Sequence, residues 1–475
     1  MKKKVTEKLL NFVAETRFAD IPKAVIHEGK RVFLDSLACG LGGINTEKGK
    51  KGIAWARSLG GPPESTILGL GDRLSCTSAA FANGELINAL DYDAILVGSH
   101  ITPYVIPAVL ALAEKSGSSG KDLILAMAVG HETAARISLA TTWLMELVRK
   151  GPEKGSVSFP IVYGYSKSVF GGVAGAAKIL QFNKKTTAQA LGLAGSVAPM
   201  NTMPKWYNSP PAALTKYLMA GWVAQAEVTA ALLAQEGYIG VSDVLDGEDG
   251  FWKVSGSQRW APEKTIAGLG QKWYFAEVDY KPYPCCKAMH TGLDCLLGIM
   301  EEKGLQPEDI ATVQVWLTPQ AGLPLWQNLE IRSHVDGQFS MPYVFAVAAH
   351  RIPLVRWQDW STLQDPKILS FMERINCLPH PDFGPRMLAD SRERLAKVKI
   401  ATRDGRRFTA ERKYPRGSHF RKDLRLSDRE LENKFKEMAT NFLTQSQVDE
   451  ALEAIFKLER MKDISELMSL VSMKK

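Results

Sequence analysis

Apolar residues recur at spacings of three and four along most of the first half of this chain. The pattern is strongest in residues 5–18, 22–43, 120–148, 171–182 and 209–237. Such spacing places apolar side chains on one face of an α-helix, and the alanines and glycines of these segments allow helices to pack closely. With 475 residues, 45% of them hydrophobic, the chain can bury a large core. The sequence therefore predicts a large multi-helix body.

The pattern changes from about Tyr274 onward. Residues 311–319 and 395–414 alternate apolar and polar side chains, as half-buried strands do. The sequence RDGR at Arg403–Arg406 is typical of the turn in a β-hairpin. Residues 285–304 between these strands have a helical pattern. This part of the chain is expected to mix helices and strands.

Helical patterns return after Arg425 and continue to the end of the sequence. We therefore expect a mainly α protein, a large all-helical domain built from both chain ends with an inserted smaller α+β lid domain. Residues 1–270 would form the first part of the helical domain, residues 271–424 the lid, and residues 425–475 the C-terminal helices that complete the helical domain.

The charge balance and the cysteines narrow the classes of partner. The formal net charge is +8, with acidic and basic residues interspersed, and a basic protein of this kind suits a polyanion, including a small di- or tricarboxylate. Nucleic acid is not expected, because there is no recognition motif and no arginine-rich arm. The six cysteines contain no C-x-x-C pair, so we expect reduced thiols and no metal site.

No segment has the pattern of a membrane anchor or a targeting peptide. The longest apolar run, after His100, is about 13 residues, whereas a transmembrane helix needs about 20. The N-terminal MKKK is followed by a mixed-charge amphipathic segment, which is unlike a signal or transit peptide. We expect no membrane partner and a cytoplasmic location.

One loop places ionisable residues directly before an apolar helix. Asp91, Asp93 and His100 precede a helix that Thr102 and Pro103 are suited to start. The field at a helix N-terminus disfavours imidazolium and would keep His100 as a neutral base. The plainer interpretation is a hydrogen-bonded loop histidine.

Two lysines have a similar setting. Lys205 lies before a helix expected to begin at Ser209 and Pro210, and Lys281 before one expected to open at Pro284. Either lysine alone is more commonly a solvated surface residue. Together with His100, they suggest ionisable groups gathered at helix N-termini.

Six segments, in order, resemble the MmgE/PrpD family: FLDSLACGLGG, STILGLGDRLSCTSAAFANGELINALDYDA, SHITPYVIPAVLALAEKSGSSGKDLILAMAVGHETAARIS, VAPMNTMPKWYNSPPAALTKYLMAGWVAQAEVTAALLAQEG, YKPYPCCKAMH and GQFSMPYVFAVA. That family includes 2-methylcitrate dehydratases, cis-aconitate decarboxylases and an iminodisuccinate epimerase. The resemblance implies the two-part helical and lid architecture, a homodimer, and a reaction that needs no metal or organic cofactor.

The resemblance also implies roles for particular residues. Asp91 matches the first acid of the family's D-[YFH]-[DG]-D pattern, and His100 matches the histidine of its HP pair. Lys205 and Lys281 match two lysines that face substrate carboxylates, and His290 matches a histidine behind the second lysine.

The sequence departs from the family pattern at three places. Ala94 replaces the last acid, Ile101 replaces the proline after the histidine, and Tyr165 or Tyr163 stands where a second histidine is expected. These changes bear on which reaction is catalysed more than on the fold.

The resemblance implies chemistry at a carbon next to a carboxylate. His100 would move the proton, Asp91 would orient it or act as partner acid or base, and Lys205 and Lys281 would stabilise the developing enediolate. Dehydration of a 2-methylcitrate-like hydroxy acid, as in propionate catabolism, is the first expectation, with Tyr165 protonating the departing hydroxyl. The alternatives are decarboxylation or epimerisation of a related acid, or a catalytically silent protein that binds a carboxylate.

Overall fold

The computed structural model describes residues 5–141, 165–200, 203–257 and 259–473. The protein is 57% helical and 9% strand, so the predicted mainly α class is confirmed. The described helices are α1 (Val5–Glu15), α2 (Lys23–Gly43), α3 (Glu47–Ser58), α4 (Cys76–Asn88), α5 (Thr102–Lys115), α6 (Gly120–Ala140), α7 (Val169–Ile179), α8 (Lys184–Val197), α9 (Met203–Tyr207), α10 (Ala220–Gln235), α11 (Phe251–Val254), α12 (Pro262–Ile266), α13 (His290–Glu302), α14 (His334–Phe339), α15 (Met341–Ala349), α16 (Trp360–Leu363), α17 (Pro366–Met372), α18 (Phe383–Ala389), α19 (Asp428–Ala439), α20 (Gln445–Phe456) and α21 (Ile464–Leu470).

The described strands form three sheets. They are β1 (Ser65–Thr66), β2 (Arg73–Leu74), β3 (Ile95–Leu96), β4 (Ser99–His100), β5 (Val278–Asp279), β6 (Ile310–Leu317), β7 (Ile375–Pro379), β8 (Ala396–Thr402) and β9 (Arg407–Arg412). The strand orders are β1-β2, β4-β3-β5 and β7-β6-β8-β9, with only the β6–β7 pair parallel among them.

Small residues bring the helices of the first half into close contact, as their composition predicts. A Cβ atom added to Gly84 in α4 would lie 2.8 Å from the Cα atom of Gly221 in α10. A Cβ atom added to Gly130 in α6 would lie 2.8 Å from the carbonyl oxygen of Gly171 in α7. Larger side chains at these positions would push the helices apart, so the site described below depends on these glycines for its spacing.

The C-terminal helices pack against the beginning of the chain. Lys434 in α19 donates hydrogen bonds to Asp35 Oδ1 in α2 and to the carbonyl of Tyr92, both at 2.7 Å. Arg31 in α2 forms an ion pair with Asp428 at the start of α19. The last helices therefore contact the helices of the first half, while the predicted domain limits remain a prediction.

The hairpin predicted at Arg403–Arg406 is confirmed. Strands β8 and β9 pair antiparallel from Ala396↔Arg412 to Ala401↔Arg407. Gly405 in the turn has φ 89°, a left-handed conformation that suits glycine. This hairpin continues the sheet on which α13 packs.

The small sheet β4-β3-β5 joins two distant parts of the chain. Ile95 in β3 pairs with His100 in β4 and with Asp279 in β5. Val97 and Gly98 form the two-residue turn between β3 and β4, with φ of 46° and 75°, as a turn with two positive φ angles requires. The sheet therefore places His100 beside the strand that leads to Lys281.

Helix α6 is long and apolar enough to cross a bilayer by length and composition. In its most apolar 18-residue window, 89% of the residues are buried inside the protein. A core helix of a large helical body has the same composition. Its N-terminus has a capping box, in which the Ser119 hydroxyl accepts the Asp122 N–H and the Asp122 carboxylate accepts the Ser119 N–H.

Candidate active site

Asp91 lies at the centre of a buried group of charged side chains. It follows the end of α4, its side chain has no solvent exposure, and its φ is 53°. Aspartate tolerates this left-handed conformation better than most residues, and strained backbone of this kind is concentrated at functional sites. The conformation turns the chain between α4 and β3.

Two buried lysines bind the Asp91 carboxylate, one at each oxygen. Lys281 Nζ donates to Asp91 Oδ2 at 2.8 Å and to the Asp91 carbonyl at 2.6 Å. Lys216 Nζ donates to Asp91 Oδ1 at 2.9 Å and to the Asn88 carbonyl at 2.8 Å. An ammonium group has three N–H donors, so each lysine keeps one donor beyond its contacts to the described residues.

These charges shift one another's pKa values. Burial by itself raises the pKa of Asp91, but the ammonium groups of Lys216 and Lys281 outweigh burial and hold it well below its ordinary value. Burial lowers the pKa of Lys216, whereas for Lys281 the attraction of Asp91 and Asp93 overcomes burial and raises the pKa. Asp91 is therefore a carboxylate, and Lys216 gives up a proton more easily than Lys281.

His100 sits beside this group and is supported by a second acid. Its Nδ1 lies 2.6 Å from Asp93 Oδ2, and burial of Asp93 is outweighed by His100, which lowers the pKa of the Asp93 carboxyl. A carboxylate accepts but does not donate, so Nδ1 carries a proton. The other ring nitrogen, Nε2, faces the hydroxyl of Tyr217. His100 Nε2 lies 3.9 Å from Asp91 Oδ1.

Tyr217 connects the acid and the imidazole. Its hydroxyl donates to Asp91 Oδ1 at 2.6 Å and lies 3.0 Å from His100 Nε2, and its ring stacks on the imidazole with centroids 4.7 Å apart. Burial and the nearby Asp91 and Asp93 raise the pKa of the phenol well above its usual range. Tyr217 therefore keeps its proton near neutral pH and can serve as a hydrogen-bond donor or general acid.

Tyr165 also belongs to this group of rings. Its ring centroid lies 5.5 Å from that of His100 and 5.1 Å from that of Tyr217, both in edge-on contacts. Its alternative from the sequence, Tyr163, lies outside the described residues. The structure thus brings Tyr165 to the imidazole, and its catalytic role remains a prediction.

Lys205 has a different setting from Lys281. It lies in the short helix α9 with an exposed side chain, while the ring of the next residue, Trp206, is 6.0 Å from that of Tyr217. The lysine that shares Asp91 with Lys281 is Lys216, which the sequence interpretation missed.

The reason for this difference is the start of the following helix. The prediction that it begins at Ser209 and Pro210 is wrong, because α10 begins at Ala220. Ser209 and Pro210 each precede a proline, and that position disfavours helical backbone. Lys216 lies four residues before the observed helix, so a search for the lysine nearest the true helix start would have found it.

His290 and Cys285 are buried, while Cys286 is partly exposed. His290 Nε2 lies 3.2 Å from the carbonyl of Cys285, and its ring meets Tyr283 edge-on at 5.2 Å. Burial and then the charge of Lys281 lower the pKa of His290 well below its ordinary value, which keeps it neutral. Its helix, α13, begins at His290 and not at Pro284 as predicted. Burial raises the pKa of the Cys286 thiol to about 12, so it is poorly suited to act as a nucleophile.

Asp91, Asp93 and His100 are also of the residue types that bind metal ions, with ligand atoms within 4.8 Å of one another. Both oxygens of Asp91, however, accept hydrogen bonds from ammonium groups, and Asp93 Oδ2 is engaged by His100. A divalent cation would have to enter against two lysine charges. The donor set therefore fits ammonium groups and an anionic ligand better than a metal ion.

Gly417 fixes the segment that carries Lys281. Its carbonyl accepts the Tyr280 N–H at 3.0 Å, its φ is 88°, and an added Cβ atom would lie 1.9 Å from the Tyr280 carbonyl oxygen. Gly405 has nearly the same φ, 89°, but open space around its Cβ position. Alanine variants of Gly417 and Gly405 therefore separate the cost of backbone strain, which both share, from the cost of a clash next to Lys281, which only Gly417 has.

We expect Gly417→Ala to destabilise the protein by about 2–4 kcal/mol and to lower activity, because strain and displacement of the Tyr280–Lys281 backbone add together. Gly405→Ala should cost only about 1 kcal/mol from strain and leave activity unchanged. Urea unfolding and initial rates of both variants test this. Equal losses of stability in the two variants would contradict the proposed support of Lys281 by Gly417.

Comparisons with known proteins identify the family of this chain. The MmgE/PrpD N-terminal domain matches residues 7–263, and the MmgE/PrpD C-terminal domain matches residues 283–459. The chain is 26% identical to a cis-aconitate decarboxylase of Aspergillus terreus, over 98% of this chain and 96% of the relative. It is 26% identical to the cis-aconitate decarboxylase of Mus musculus, over 99% and 94%.

A cis-aconitate decarboxylase-like protein of Aspergillus oryzae is 25% identical, over 98% of this chain and 97% of the relative. These relatives are enzymes by name and span almost the same length as this chain. The two family domains together cover most of the sequence in the expected order. The chain therefore belongs to the MmgE/PrpD family.

Proposed function

We propose that the protein is a lyase that removes a carboxyl group as CO2 from a small unsaturated tricarboxylate of the cis-aconitate type. The observation that carries this proposal is the buried Asp91 carboxylate held between Lys216 and Lys281, directly beside the His100–Asp93 pair. The names of the relatives, cis-aconitate decarboxylases, favour decarboxylation over the dehydration that the sequence suggested first.

Substrate binding would use the remaining donors of the two lysines. Each ammonium group donates two of its three N–H groups to described residues. Two fixed cations supply charge-assisted hydrogen bonds to a carboxylate at a site where water is largely excluded. The site is therefore suited to an anionic ligand before any reaction begins.

Loss of CO2 leaves the electron pair of the broken C–C bond on the substrate. In an unsaturated tricarboxylate this charge spreads through the double bond onto a remaining carboxylate, as an enediolate. Lys216 and Lys281 would stabilise that charge because they are already in place and need no reorganisation. A proton must then be delivered to carbon, so that CO2 and an unsaturated dicarboxylate are the products.

His100 is the candidate proton donor for that last step. Protonated at Nε2, the imidazole would pass its proton to carbon, and Asp93 would stabilise the imidazolium through Nδ1. The Tyr217 hydroxyl, 3.0 Å from Nε2, keeps its own proton and would position the imidazole, which takes its next proton from water. Asp91 holds both lysines and Tyr217 in position.

The second candidate reaction is dehydration of a 2-methylcitrate-like hydroxy acid. Neutral His100 would remove the proton next to a carboxylate, and the Tyr217 phenol would protonate the departing hydroxyl. The observation that favours it is the closeness of one base and one protonated phenol, with Tyr217 Oη 3.0 Å from His100 Nε2. Dehydration needs both groups, whereas decarboxylation needs one.

A direct assay separates these possibilities. Purified protein is incubated with cis-aconitate and with 2-methylcitrate, while CO2 release, water loss and deuterium exchange at carbon are followed. We expect CO2 from cis-aconitate, and a His100→Gln variant that is folded but strongly impaired. Water loss from 2-methylcitrate alone would support the second candidate, and exchange without either product would indicate an epimerase.

Binding of tricarboxylates without turnover of any substrate would contradict catalysis. CO2 release that is unaffected by His100→Gln would overturn the assignment of the proton donor. The matched control is Lys205→Met, which removes an exposed lysine near the site. It should leave the rate unchanged.

A further inference from the structure

Lys167 is a buried lysine that no acidic group among the described residues balances. It lies in the short 3-10 helix Ser166–Ser168, directly before α7, and its residue is 8% exposed. Among the described residues, no hydrogen bond or ion pair joins its ammonium group to an acceptor, and burial is the one influence on its pKa, which it lowers to about 8. The group is therefore still mostly charged near neutral pH.

The other buried lysines of the described chain are all paired with acids. These pairs are Lys30–Glu459, Lys48–Glu85, Lys216–Asp91, Lys281–Asp91 and Lys434–Asp35. Burying a charge without a partner is costly, so it persists where a ligand or a function compensates. Lys167 departs from the pattern that this protein otherwise follows.

The residues on either side of Lys167 add further unused donors. The hydroxyls of Ser166 and Ser168 are buried and have no hydrogen-bond partner in the described structure. Ser168 occupies the N-cap position of α7, yet its side chain makes no capping bond. The ammonium group and the two hydroxyls thus belong to three consecutive residues directly before α7. Unpaired donors of this kind favour an anion.

Lys167 is close in sequence to a residue that contacts the catalytic group. Tyr165, two residues before Lys167, packs its ring 5.5 Å from His100. Neither Asp91 nor Asp93 influences the pKa of Lys167, although both influence that of Lys216. The charge of Lys167 is therefore separate from that of the Lys216–Lys281 pair.

We propose that the unpaired ammonium group of Lys167 binds the substrate carboxylate that the Lys216–Lys281 pair does not hold. The inference rests on the proposed function for the identity of the ligand, a tricarboxylate. It gives Lys167 a role in selecting tricarboxylates over dicarboxylates. Lys167 binds and does not take part in the proton transfer.

Calorimetric binding of two unreactive probes tests the subsite. Propane-1,2,3-tricarboxylate has three carboxylates, and glutarate has two. We expect Lys167→Met to weaken binding of the tricarboxylate by about 10- to 100-fold, the value of hydrogen bonds to a charged group, and to leave glutarate binding within about 3-fold. The matched control is Lys178→Met in α7, the helix that follows, where the ammonium group binds the carbonyls of Val13 and Ala14. It should change neither affinity.

A second variant and the pH dependence of affinity distinguish loss of a binding cation from a purely structural effect of the Lys167→Met substitution. Lys167→Arg keeps a cation, so it should retain tricarboxylate binding. Wild-type affinity should fall between about pH 7.5 and 9.5 as the ammonium group of Lys167 loses its proton. It should fall less in the arginine variant, where guanidinium does not titrate and the remaining fall comes from Lys216, whose pKa burial also lowers. Circular dichroism and thermal unfolding confirm that each variant is folded.

The outcomes separate the subsite from the reaction. Lys167-dependent binding by a wild type that turns over no substrate would keep the subsite and reject the proposed function. Turnover with an unchanged KM in Lys167→Met would reject the subsite and keep the reaction. No binding of the tricarboxylate by wild type, or equal binding by Lys167→Met, would overturn the inference.

Discussion

Replacing Lys281 by methionine is expected to lower the turnover number by about 10²- to 10³-fold, the usual cost of removing one donor that stabilises developing negative charge. Methionine keeps much of the length and volume of lysine but has no charge and no N–H donor. Lys281 bonds both the carboxylate and the carbonyl of Asp91, and its free donor is directed to the ligand in the proposed reaction. Initial rates with cis-aconitate measure the effect.

Lys216→Met is expected to give a loss of similar size, because Lys216 holds the other oxygen of the same carboxylate. Lys205→Met supplies the control, since the side chain of Lys205 is exposed. Full loss of activity in Lys205→Met with full activity in Lys281→Met would reverse the assignment. That result would place the substrate outside the buried group.

Replacing Asp91 by asparagine is expected to destabilise the protein by about 3–5 kcal/mol, because two buried ammonium groups lose their shared counter-charge. Asparagine is the sharpest substitution here, since it tolerates the left-handed backbone at φ 53° and changes little in volume. The loss is then electrostatic and not conformational. Urea unfolding at pH 7 measures it.

The difference in unfolding free energy between wild type and Asp91→Asn depends on pH. The pKa of Asp91 is lowered in the folded protein, from an ordinary value of 3.8. Its contribution to stability is therefore present above about pH 4 and is lost as pH falls through the folded-state value. The gap between wild type and Asp91→Asn should shrink in stronger acid, where Asp91 is protonated in the wild type. It should also shrink at alkaline pH, because the two buried lysines of the variant lose their protons more easily without Asp91.

A double variant checks the cause. Adding Lys216→Met to Asp91→Asn removes one of the two uncompensated charges, so part of the lost stability should return. An Asp91→Asn protein within about 1 kcal/mol of wild type would show that burial of the two lysines does not depend on the acid.

Much of the local structure was predictable because it depends on neighbouring residues. The RDGR turn, the capping box at Ser119, and the helix directly after His100 all arise from interactions within a few positions of sequence. Asp91, His100 and Lys281 were candidates for the same reason, because the residues that follow them in the chain indicated a helix start.

The sequence by itself determined the family, the helical class and three members of the charged group. Only the tertiary structure decided which lysine joins Lys281, because the Lys216–Asp91 and Lys281–Asp91 contacts join residues 125 and 190 positions apart. It likewise assigned Asp93 to the support of His100 and brought in Tyr217. Hydrophobic periodicity and turn residues act over a few positions of sequence. The partner of a buried charge, in contrast, depends on which residues the folded chain brings into contact with it.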